Sequence, residues 1–224
     1  MLTFYYNPLS PNARRVWLTL LEKGIDFQPV LLNLDGDQLQ AKFTAISPFH
    51  HIPVLVDDGL RLIESLAIMD YLETKYPTPT LLPQSAQAIA TVRMVQMVTA
   101  NELFGQLISL ICEAEDSAQF LQAKQQTDKV LEFLTELLGE SPYFGSQQLT
   151  LGDIVAGTAI PLLPKLGITL NDYPNLNNWC QRLLQREVWQ KTQLSTADFE
   201  AFKRRVRVLV KLRKRNLSRN NNQK

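Results

Sequence analysis

The alternation of apolar and polar positions over the first 76 residues predicts strands and helices in turn. The aromatic-rich run Leu2–Tyr6 is typical of a strand. The pair Ser10-Pro11 predicts the start of a helix, because serine favours the N-cap and proline favours the first helical position. Phe27–Leu32 predicts a second strand, and residues 35–45 predict a short helix or an irregular segment.

A β-hairpin followed by a helix is predicted next. Two short apolar runs, Val54–Val56 and Leu60–Ile63, flank an Asp-Asp-Gly turn, which is a hairpin signal. Ser65 then precedes apolar residues at helical spacing, and we expect its hydroxyl to cap that helix. The free N–H groups and the positive dipole end of such a helix favour a bound carboxylate.

Beyond a proline-rich linker at residues 77–85, the pattern becomes helical. Long helical segments are predicted over residues 86–113 and 117–138, with a further helix over 175–186 and a last one from Phe199 onward. Thr150 and Asp153 have the spacing of a capping box, which predicts a structural helix start rather than a chemical role.

Charge divides the chain into an acidic body and a basic tail. Residues 203–224 carry ten of the 23 lysines and arginines, whereas all 22 acidic residues lie in the rest of the chain. A basic run of this kind can bind nucleic acid or an anionic membrane surface, although most such tails are solvated. The part before Leu212 can instead form a last helix that covers a substrate site.

Composition favours a cytoplasmic protein without a metal site. Cys112 and Cys180 are too few for a disulfide scaffold, and the N-terminus lacks the features of a signal peptide. The uncharged apolar stretch at residues 154–164 is too short to span a bilayer. His50 and His51, the two histidines, have no cysteine partners at ligand spacing.

Residues 47–76 carry the motif that points to a family. They read His-His-Ile-Pro, then an acidic-glycine turn, then Glu-Ser before a helix. This combination resembles the glutathione-binding half of cytosolic glutathione S-transferases. The resemblance implies that the Ile52–Pro53 bond is cis and that the Ile52 backbone pairs with the cysteinyl unit of glutathione. It also implies that Glu64 and Ser65 hold the γ-glutamyl end.

The contacts with the glycine end of glutathione are less well defined by the resemblance. His50 stands where delta-like members place a histidine, and His51 stands where phi members place glutamine and tau members place lysine. Either side chain is expected to contact the glycyl carboxylate, or one of them is a loop residue. The His-Lys pair of phi members is not reproduced, because residues 37–40 read Asp-Gln-Leu-Gln.

Glutathione conjugation requires a thiolate, and Ser10 is the first candidate for activating it. A free thiol has a pKa of about 8.5, which a hydroxyl donor at a positive helix end can lower. The stretch from Pro8 to Val16 resembles the serine-type classes (phi, tau, theta and delta), in which this serine contacts the sulfur. The local pattern alone favours an N-cap for Ser10, and the motif at residues 47–65 shifts the interpretation to a catalytic role.

Arg14 is a second catalytic candidate, since it can hold the sulfur or a substrate oxyanion; a structural arginine is the alternative. Tyr5 and Tyr6 lie inside the first strand and are expected to pack in the sheet. No cysteine stands near Ser10 in the sequence, which argues against the mixed-disulfide chemistry of cysteine-type relatives.

A hydrophobic substrate site is expected between the Ser10 loop and the long helix after the linker. Met94, Met97, Asn101 and Phe104 are its candidates, although a methionine stripe at helical spacing is more often part of a core. The identity of the electrophile does not follow from the sequence.

The resemblance implies an α+β fold. An N-terminal thioredoxin-like βαβαββα domain (residues 1–76) and a linker (77–85) precede an all-α helical domain (86–202) and the basic tail (203–224). The implied function is a homodimeric transferase that conjugates glutathione, its co-substrate, to hydrophobic electrophiles in detoxification, with no other cofactor. The alternatives are a non-catalytic glutathione- or ligand-binding protein, an interaction protein that uses the tail, and a glutathione-dependent peroxidase or isomerase.

Overall fold

The first domain is a mixed four-stranded sheet with helices packed on it, and the computed structural model describes residues 1–33 and 36–221. The strands are β1 (Leu2–Tyr6), β2 (Gln28–Leu31), β3 (Val54–Asp57) and β4 (Leu60–Ile63), in the spatial order β2-β1-β3-β4. Strand β1 runs parallel to β2 and antiparallel to β3, and β3 and β4 form the predicted hairpin. The helices are α1 (Pro11–Glu22), α2 (Ala41–Thr44) and α3 (Ser65–Lys75), with a 3-10 turn at Asp37–Leu39.

Local sequence explains where α1 begins and ends. The Ser10 hydroxyl oxygen accepts the Ala13 N–H at 3.3 Å, and Pro11 occupies the first helical position. Gly24, with φ +61°, follows the last turn, a left-handed conformation that favours glycine. Val16 is fully buried in the core between these ends, so α1 fixes the position of Ser10 relative to the sheet.

A buried ion pair fastens the linker to the first domain. Lys23 Nζ lies 2.6 Å from Glu73 Oε2 and donates to the Pro79 carbonyl oxygen at 2.6 Å. Glu73 Oε1 accepts hydrogen bonds from the Thr80 hydroxyl at 2.8 Å and from the Leu81 N–H at 2.9 Å. The linker is therefore held against α1 and α3 by two buried charges.

The second domain consists of helices. These are α4 (Ala86–Val98), a π-helical turn (Thr99–Leu103), α5 (Phe104–Cys112), α6 (Ala118–Leu138), α7 (Leu151–Gly157), a 3-10 turn (Ile160–Leu166), α8 (Pro174–Leu184), α9 (Glu187–Lys191) and α10 (Thr196–Asn221). The first three form one 27-residue helix, the single helix among the described residues that is long and apolar enough to cross a membrane. Helices α6 and α7 pack against it.

The start of α7 is buried and sealed by Thr150 and Asp153, which form the capping box. The Asp153 carboxylate also accepts the Phe144 N–H at 3.0 Å and the Trp179 indole N–H at 2.7 Å. Desolvation in this position raises the pKa of Asp153 to about 6. Both residues belong to the interior of the helical domain, away from solvent.

Helix α1 also joins the two domains. Its Glu22 accepts two hydrogen bonds from the Arg186 guanidinium, at 2.8 and 2.6 Å, and one from the Trp189 indole N–H at 3.1 Å. Trp189 packs directly on Gly157 of α7, where an added β-carbon would stand 2.3 Å from the indole ring. The helical domain therefore packs on the same helix that begins at Ser10.

The architecture confirms the predicted fold class and the order of elements. The bounds differ in detail: residues 86–113 contain a π-helical turn, the helix predicted over 175–186 is Pro174–Leu184, and the last helix begins at Thr196 rather than Phe199. The segment at 35–45, predicted as a short helix or an irregular segment, consists of a 3-10 turn and the short α2, with residue 35 outside the described residues. The domain boundaries at residues 76, 85 and 202 stay predictions.

Candidate active site

A cleft of about 720 Å³ lies between the loop before β3, the start of α3 and the last helix, α10. The six residues that the resemblance assigns to glutathione all line it: His50, His51, Ile52, Pro53, Glu64 and Ser65. They come from two segments on either side of the β3–β4 hairpin, and the hairpin brings these segments together. Their roles toward glutathione stay predictions.

Hydrogen bonds order the loop before β3. The Ser47 hydroxyl donates to the His51 carbonyl oxygen at 2.9 Å and accepts the His51 N–H at 3.2 Å. The His50 ring nitrogen Nδ1 lies 3.0 Å from the Gln38 carbonyl oxygen. The Ile52–Pro53 bond is cis. Both histidines are exposed, so this ordered loop presents two imidazoles to a ligand in the cleft.

The start of α3 is open toward the cleft. Glu64, with φ +67°, occupies the cap position, and within the described residues its side chain makes no capping hydrogen bond. Ser65 is the first helical residue, so the prediction that it is the N-cap is wrong. Its hydroxyl oxygen accepts a hydrogen bond from Arg15 Nη1 at 3.3 Å, which leaves its hydrogen to be donated elsewhere. The first N–H groups of an uncapped helix and its positive dipole end suit a carboxylate.

Ser10 stands at the start of α1 with its hydroxyl oriented by the helix. Because its oxygen accepts the Ala13 N–H, its hydrogen can be donated to another atom. The turn before it is fixed by Asn7, whose side-chain amide donates to the Leu32 carbonyl oxygen at 2.8 Å. Ser10 is half-buried and is not among the described residues that line the cleft, whereas Asn12, two residues further on, is.

Arg14 is buried and does not line the cleft in the described structure. Its side chain is 6% exposed, and its guanidinium carbon lies 5.6 Å from the centroid of the Trp189 ring. The neighbouring Arg15 is 2% exposed and lies over the Phe104 ring at 4.4 Å. Burial lowers the pKa of both arginines to about 10. This placement fits the structural alternative for Arg14.

The four candidates for the hydrophobic substrate site lie elsewhere. Met94 and Met97 are 41% and 49% exposed on the outer surface of α4, and Asn101 is exposed as well. Phe104 is half-buried beneath Arg15. None of the four is among the described residues of the cleft wall. Their role in substrate binding stays a prediction, and the two methionines form an apolar patch on the surface of α4.

The histidines, acidic residues and cysteines of the described residues are the groups on which metal and thiol chemistry would depend. Across residues 1–33 and 36–221, no three His, Cys, Asp or Glu side chains are grouped to hold a metal ion. Cys180 is buried, which raises the pKa of its thiol to about 12, and Cys112 is the last residue of α5. A thiol with the pKa of Cys180 is protonated at neutral pH and is a poor nucleophile.

The cleft also contains residues that the sequence patterns did not indicate. Asn12 lies two residues after Ser10, Ser47 is the first residue of the 47–76 motif, and Gln38 lies within residues 37–40, which the resemblance relates to the glycine end; none of the three was itself a candidate. Arg205 and Leu209 line it from α10, in keeping with the alternative that the part before Leu212 forms a last helix over a substrate site, although no pattern indicated these two residues. The described part of the basic tail is thus a helix that reaches the cleft, and its binding to nucleic acid or membrane stays a prediction.

A thioredoxin-like domain with this cleft, followed by a helical domain, defines a class of glutathione-dependent proteins. The model named "Glutathione S-transferase, N-terminal domain" matches residues 4–80, and "Glutathione S-transferase, C-terminal domain" matches residues 72–187. The chain belongs to the glutathione S-transferase family of enzymes.

Individual relatives agree with this assignment. The chain is similar to maleylacetoacetate isomerase of Mus musculus, at 30% identity over 81% of this chain and 87% of the relative. It is also similar to glutathione S-transferase 3 of Zea mays, at 33% identity over 85% and 92%. A crystal structure of a glutathione S-transferase from Rhodospirillum rubrum superposes with a TM-score of 0.73 at 27% identity, covering 88% of this chain and 93% of that chain.

Proposed function

We propose that this enzyme binds glutathione in the cleft and conjugates the whole tripeptide to small hydrophobic electrophiles through a new bond from its thiolate sulfur, a detoxifying reaction. One observation carries the proposal: the open start of α3 and the loop before β3 line the same space. Ser65 and the helix end would take the γ-glutamyl carboxylate, and Glu64 its ammonium group. The Ile52 backbone would hold the cysteinyl unit, and His50 or His51 the glycyl carboxylate.

In this proposal, Ser10 lowers the pKa of the glutathione thiol. Its hydroxyl hydrogen is available because its oxygen already accepts the Ala13 N–H, and it stands at the positive end of α1. Lowering the pKa by ~2 units requires the site to stabilise the thiolate over the thiol by about 2.7 kcal/mol. The enzyme's other contribution to the rate is to hold the thiolate beside the electrophile, because a thiolate in that position needs little further acid–base assistance.

The pKa of the bound glutathione thiol tests the proposal. It is measured from the pH dependence of thiolate ultraviolet absorbance, for the wild-type protein and for Ser10→Ala. We expect a clearly lowered pKa in the wild type and a higher one in the variant. If the pKa of the bound thiol is lowered equally in both proteins, Ser10 acts only as a helix cap and other donors activate the thiol. A wild-type pKa near that of free glutathione would contradict the transferase function.

Isomerisation by the same thiolate is a second candidate function, because the similar mouse protein is a maleylacetoacetate isomerase. The two reactions differ in their consumption of glutathione. Conjugation consumes one glutathione per product, whereas an isomerase releases the glutathione again. Incubation with maleylacetoacetate and substoichiometric glutathione separates them. Turnover that exceeds the glutathione supplied identifies an isomerase, and turnover that stops with its exhaustion identifies a transferase.

The proposal includes a homodimer that works in the cytoplasm. The exposed Met94 and Met97 lie on α4 beside a shallow cavity of about 240 Å³, whose lining includes Val98, Val130 and Phe133. A second subunit on this face would remove apolar area from water. Analytical ultracentrifugation is expected to show two chains for the wild type and one for a Met94→Lys, Met97→Lys double variant. A monomeric wild type would contradict the dimer.

A further inference from the structure

The last helix, α10, lies outside the part of the chain that the family models match. Those matches end at residue 187, whereas α10 spans Thr196–Asn221. The Asp198 carboxylate accepts the Ser195 hydroxyl at 2.6 Å and the Ser195 N–H at 3.2 Å, and the Ser195 oxygen accepts the Asp198 N–H at 3.1 Å. Phe199, in the first turn, is 3% exposed. The helix therefore starts from an exposed cap, and its first turn is anchored by the buried Phe199 side chain.

Further contacts hold α10 along the second domain. Arg207 Nε donates to the Ile111 carbonyl oxygen at 3.0 Å, at the C-terminal end of α5, where a cation interacts favourably with the helix dipole. The ammonium groups of Lys165 and Lys203 lie 5.2 and 5.4 Å from the centroid of the Phe199 ring. Helix α10 packs along α5. These contacts fix which of its faces is turned to the cleft.

Arg205 and Leu209 form that face. They stand four residues apart, on one side of the helix, and both line the cleft together with His50 and Ser65. Among the described residues of the cleft wall, Arg205 is the one arginine or lysine, and Glu64 is the one carboxylate. Glutathione carries two carboxylates and one ammonium group at neutral pH. Arg205 therefore supplies a permanent positive side chain to a site for an anionic ligand.

We propose that Arg205 binds a carboxylate of glutathione and that α10 forms one wall of the glutathione site through Arg205 and Leu209. The inference rests on the proposed function, because it requires glutathione to occupy this cleft. A guanidinium matches a carboxylate with two parallel hydrogen bonds, and both groups are charged. Leu209, 51% exposed one helical turn further on, gives the same wall an apolar surface beside the charged contact.

Arg205→Ala and Arg204→Ala form a matched pair for the test. Arg204 is exposed, immediately precedes Arg205 on α10 and is not among the described residues of the cleft wall. Both variants remove one arginine from the same helix, so net charge and helix propensity change equally. We expect calorimetric titration of the full chain to show that Arg205→Ala binds glutathione about tenfold more weakly than the wild type. Arg204→Ala is expected to stay within about twofold of the wild type. Equal affinities of the two variants would overturn the inference.

Two glutathione analogues identify the carboxylate concerned. One carries an amide in place of the glycyl carboxylate, and the other carries hydrogen in place of the γ-glutamyl α-carboxylate. We expect one analogue, the one that lacks the partner of Arg205, to bind the wild type and Arg205→Ala equally. The inference fails if the wild type binds both analogues more tightly than Arg205→Ala by the same factor as it binds glutathione, because Arg205 then does not bind either carboxylate. Arg205→Lys, which keeps the charge, is expected to recover part of the affinity.

Failure of the inference is distinguishable from failure of the proposed function. A wild-type protein that does not bind glutathione contradicts the proposed function. Strong binding by the wild type and by Arg205→Ala alike contradicts only the role of Arg205. The ratio of affinities for glutathione and for an analogue, measured within one variant, does not depend on the fraction of that variant that is folded, so partial unfolding cannot imitate the expected result.

Discussion

The starts of α3 and α7 differ in how their first N–H groups are satisfied: Thr150 caps α7 from an extended backbone, whereas Glu64 precedes α3 with φ +67° and caps nothing among the described residues. At α7, Thr150 and Asp153 are 1% and 0% exposed; the Thr150 hydroxyl accepts the Asp153 N–H, and the Asp153 carboxylate accepts the Thr150 N–H in return. At α3, Glu64 provides no side-chain cap in the described structure, and Ser65 faces the cleft. A helix start sealed by its own side chains stabilises the fold, whereas an open start keeps its donors available for an anionic ligand.

Helix α1 combines the two patterns. Ser10 caps the helix through its oxygen, yet its hydroxyl hydrogen remains to be donated. Comparing the three helix starts by mutation therefore separates the contribution of a cap to stability from its contribution to ligand binding.

The largest effect is expected from Asp153→Ala. This change removes the acceptor for the Trp179 indole, for the Phe144 and Thr150 N–H groups, and for the Thr150 hydroxyl. Leaving a buried donor without an acceptor costs about 1–3 kcal/mol of folding stability. Because several donors lose their acceptor here, we expect the free energy of unfolding in urea to fall by about 4 kcal/mol. A fall below about 1 kcal/mol would contradict a structural role for the sealed start of α7.

The second effect is the pH dependence of stability due to Asp153. Its pKa is raised to about 6 from the ordinary value of 3.8. The folded state therefore binds more protons than the unfolded state between these values, and the stability contributed by Asp153 falls as pH rises through this window. We expect the difference in unfolding free energy between the wild type and Asp153→Asn to decrease from about pH 4 to about pH 6 and to stay constant above it. A difference that does not change with pH would show that the pKa is not raised.

Ser65→Ala is expected to weaken glutathione binding about tenfold, because a hydrogen bond to a charged group contributes about 1.5–3 kcal/mol. The variant also removes the acceptor of Arg15 Nη1, so a loss of stability should accompany it. Ser85→Ala is the control, since Ser85 caps α4 by accepting the Ala88 N–H and is exposed. Calorimetric titration should show unchanged affinity for Ser85→Ala, and a Ser65→Ala protein with wild-type affinity would argue against an open binding site at α3.

The smallest effect on stability is expected from Ser10→Ala. Loss of an N-cap reduces the free energy of unfolding by about 1 kcal/mol. Ser117→Ala, which removes the equivalent cap of α6 on Phe120, should have the same effect in urea unfolding. The pKa of the bound glutathione thiol should distinguish the two variants: it should rise in Ser10→Ala and stay unchanged in Ser117→Ala. A pKa that changes equally in both variants would assign the effect to general destabilisation.

Local signals predicted the bounds of several helices and strands well. The bounds of β1 and the end of α6 at Leu138 agree with the sequence pattern, because both depend on neighbouring residues. The error at Ser65 has a local origin too. Cap preferences do not show which of two adjacent residues leaves the helical conformation, and Glu64 does so with φ +67°.

Contacts between distant parts of the chain were not predictable in this way. Arg205 reaches a cleft built by residues 47–65, and Arg186 pairs with Glu22 across 164 positions. The burial of Arg14 against Trp189 likewise depends on how α9 packs on α1. Periodicity places a residue on one face of its own helix, but the packing of the helices decides what that face meets.

The Lys23–Glu73 pair limits how this chain could be recombined with its relatives. Glu73 accepts the Leu81 N–H, and the Leu81 carbonyl oxygen in turn accepts the Leu151 N–H at 2.9 Å. Removing one partner of a buried ion pair is strongly destabilising, so a chimaera should inherit the lysine, the glutamate and the linker as far as Leu81 from a single parent. The crossover for exchanging helical domains therefore belongs after residue 81, inside what the sequence marks as one continuous linker.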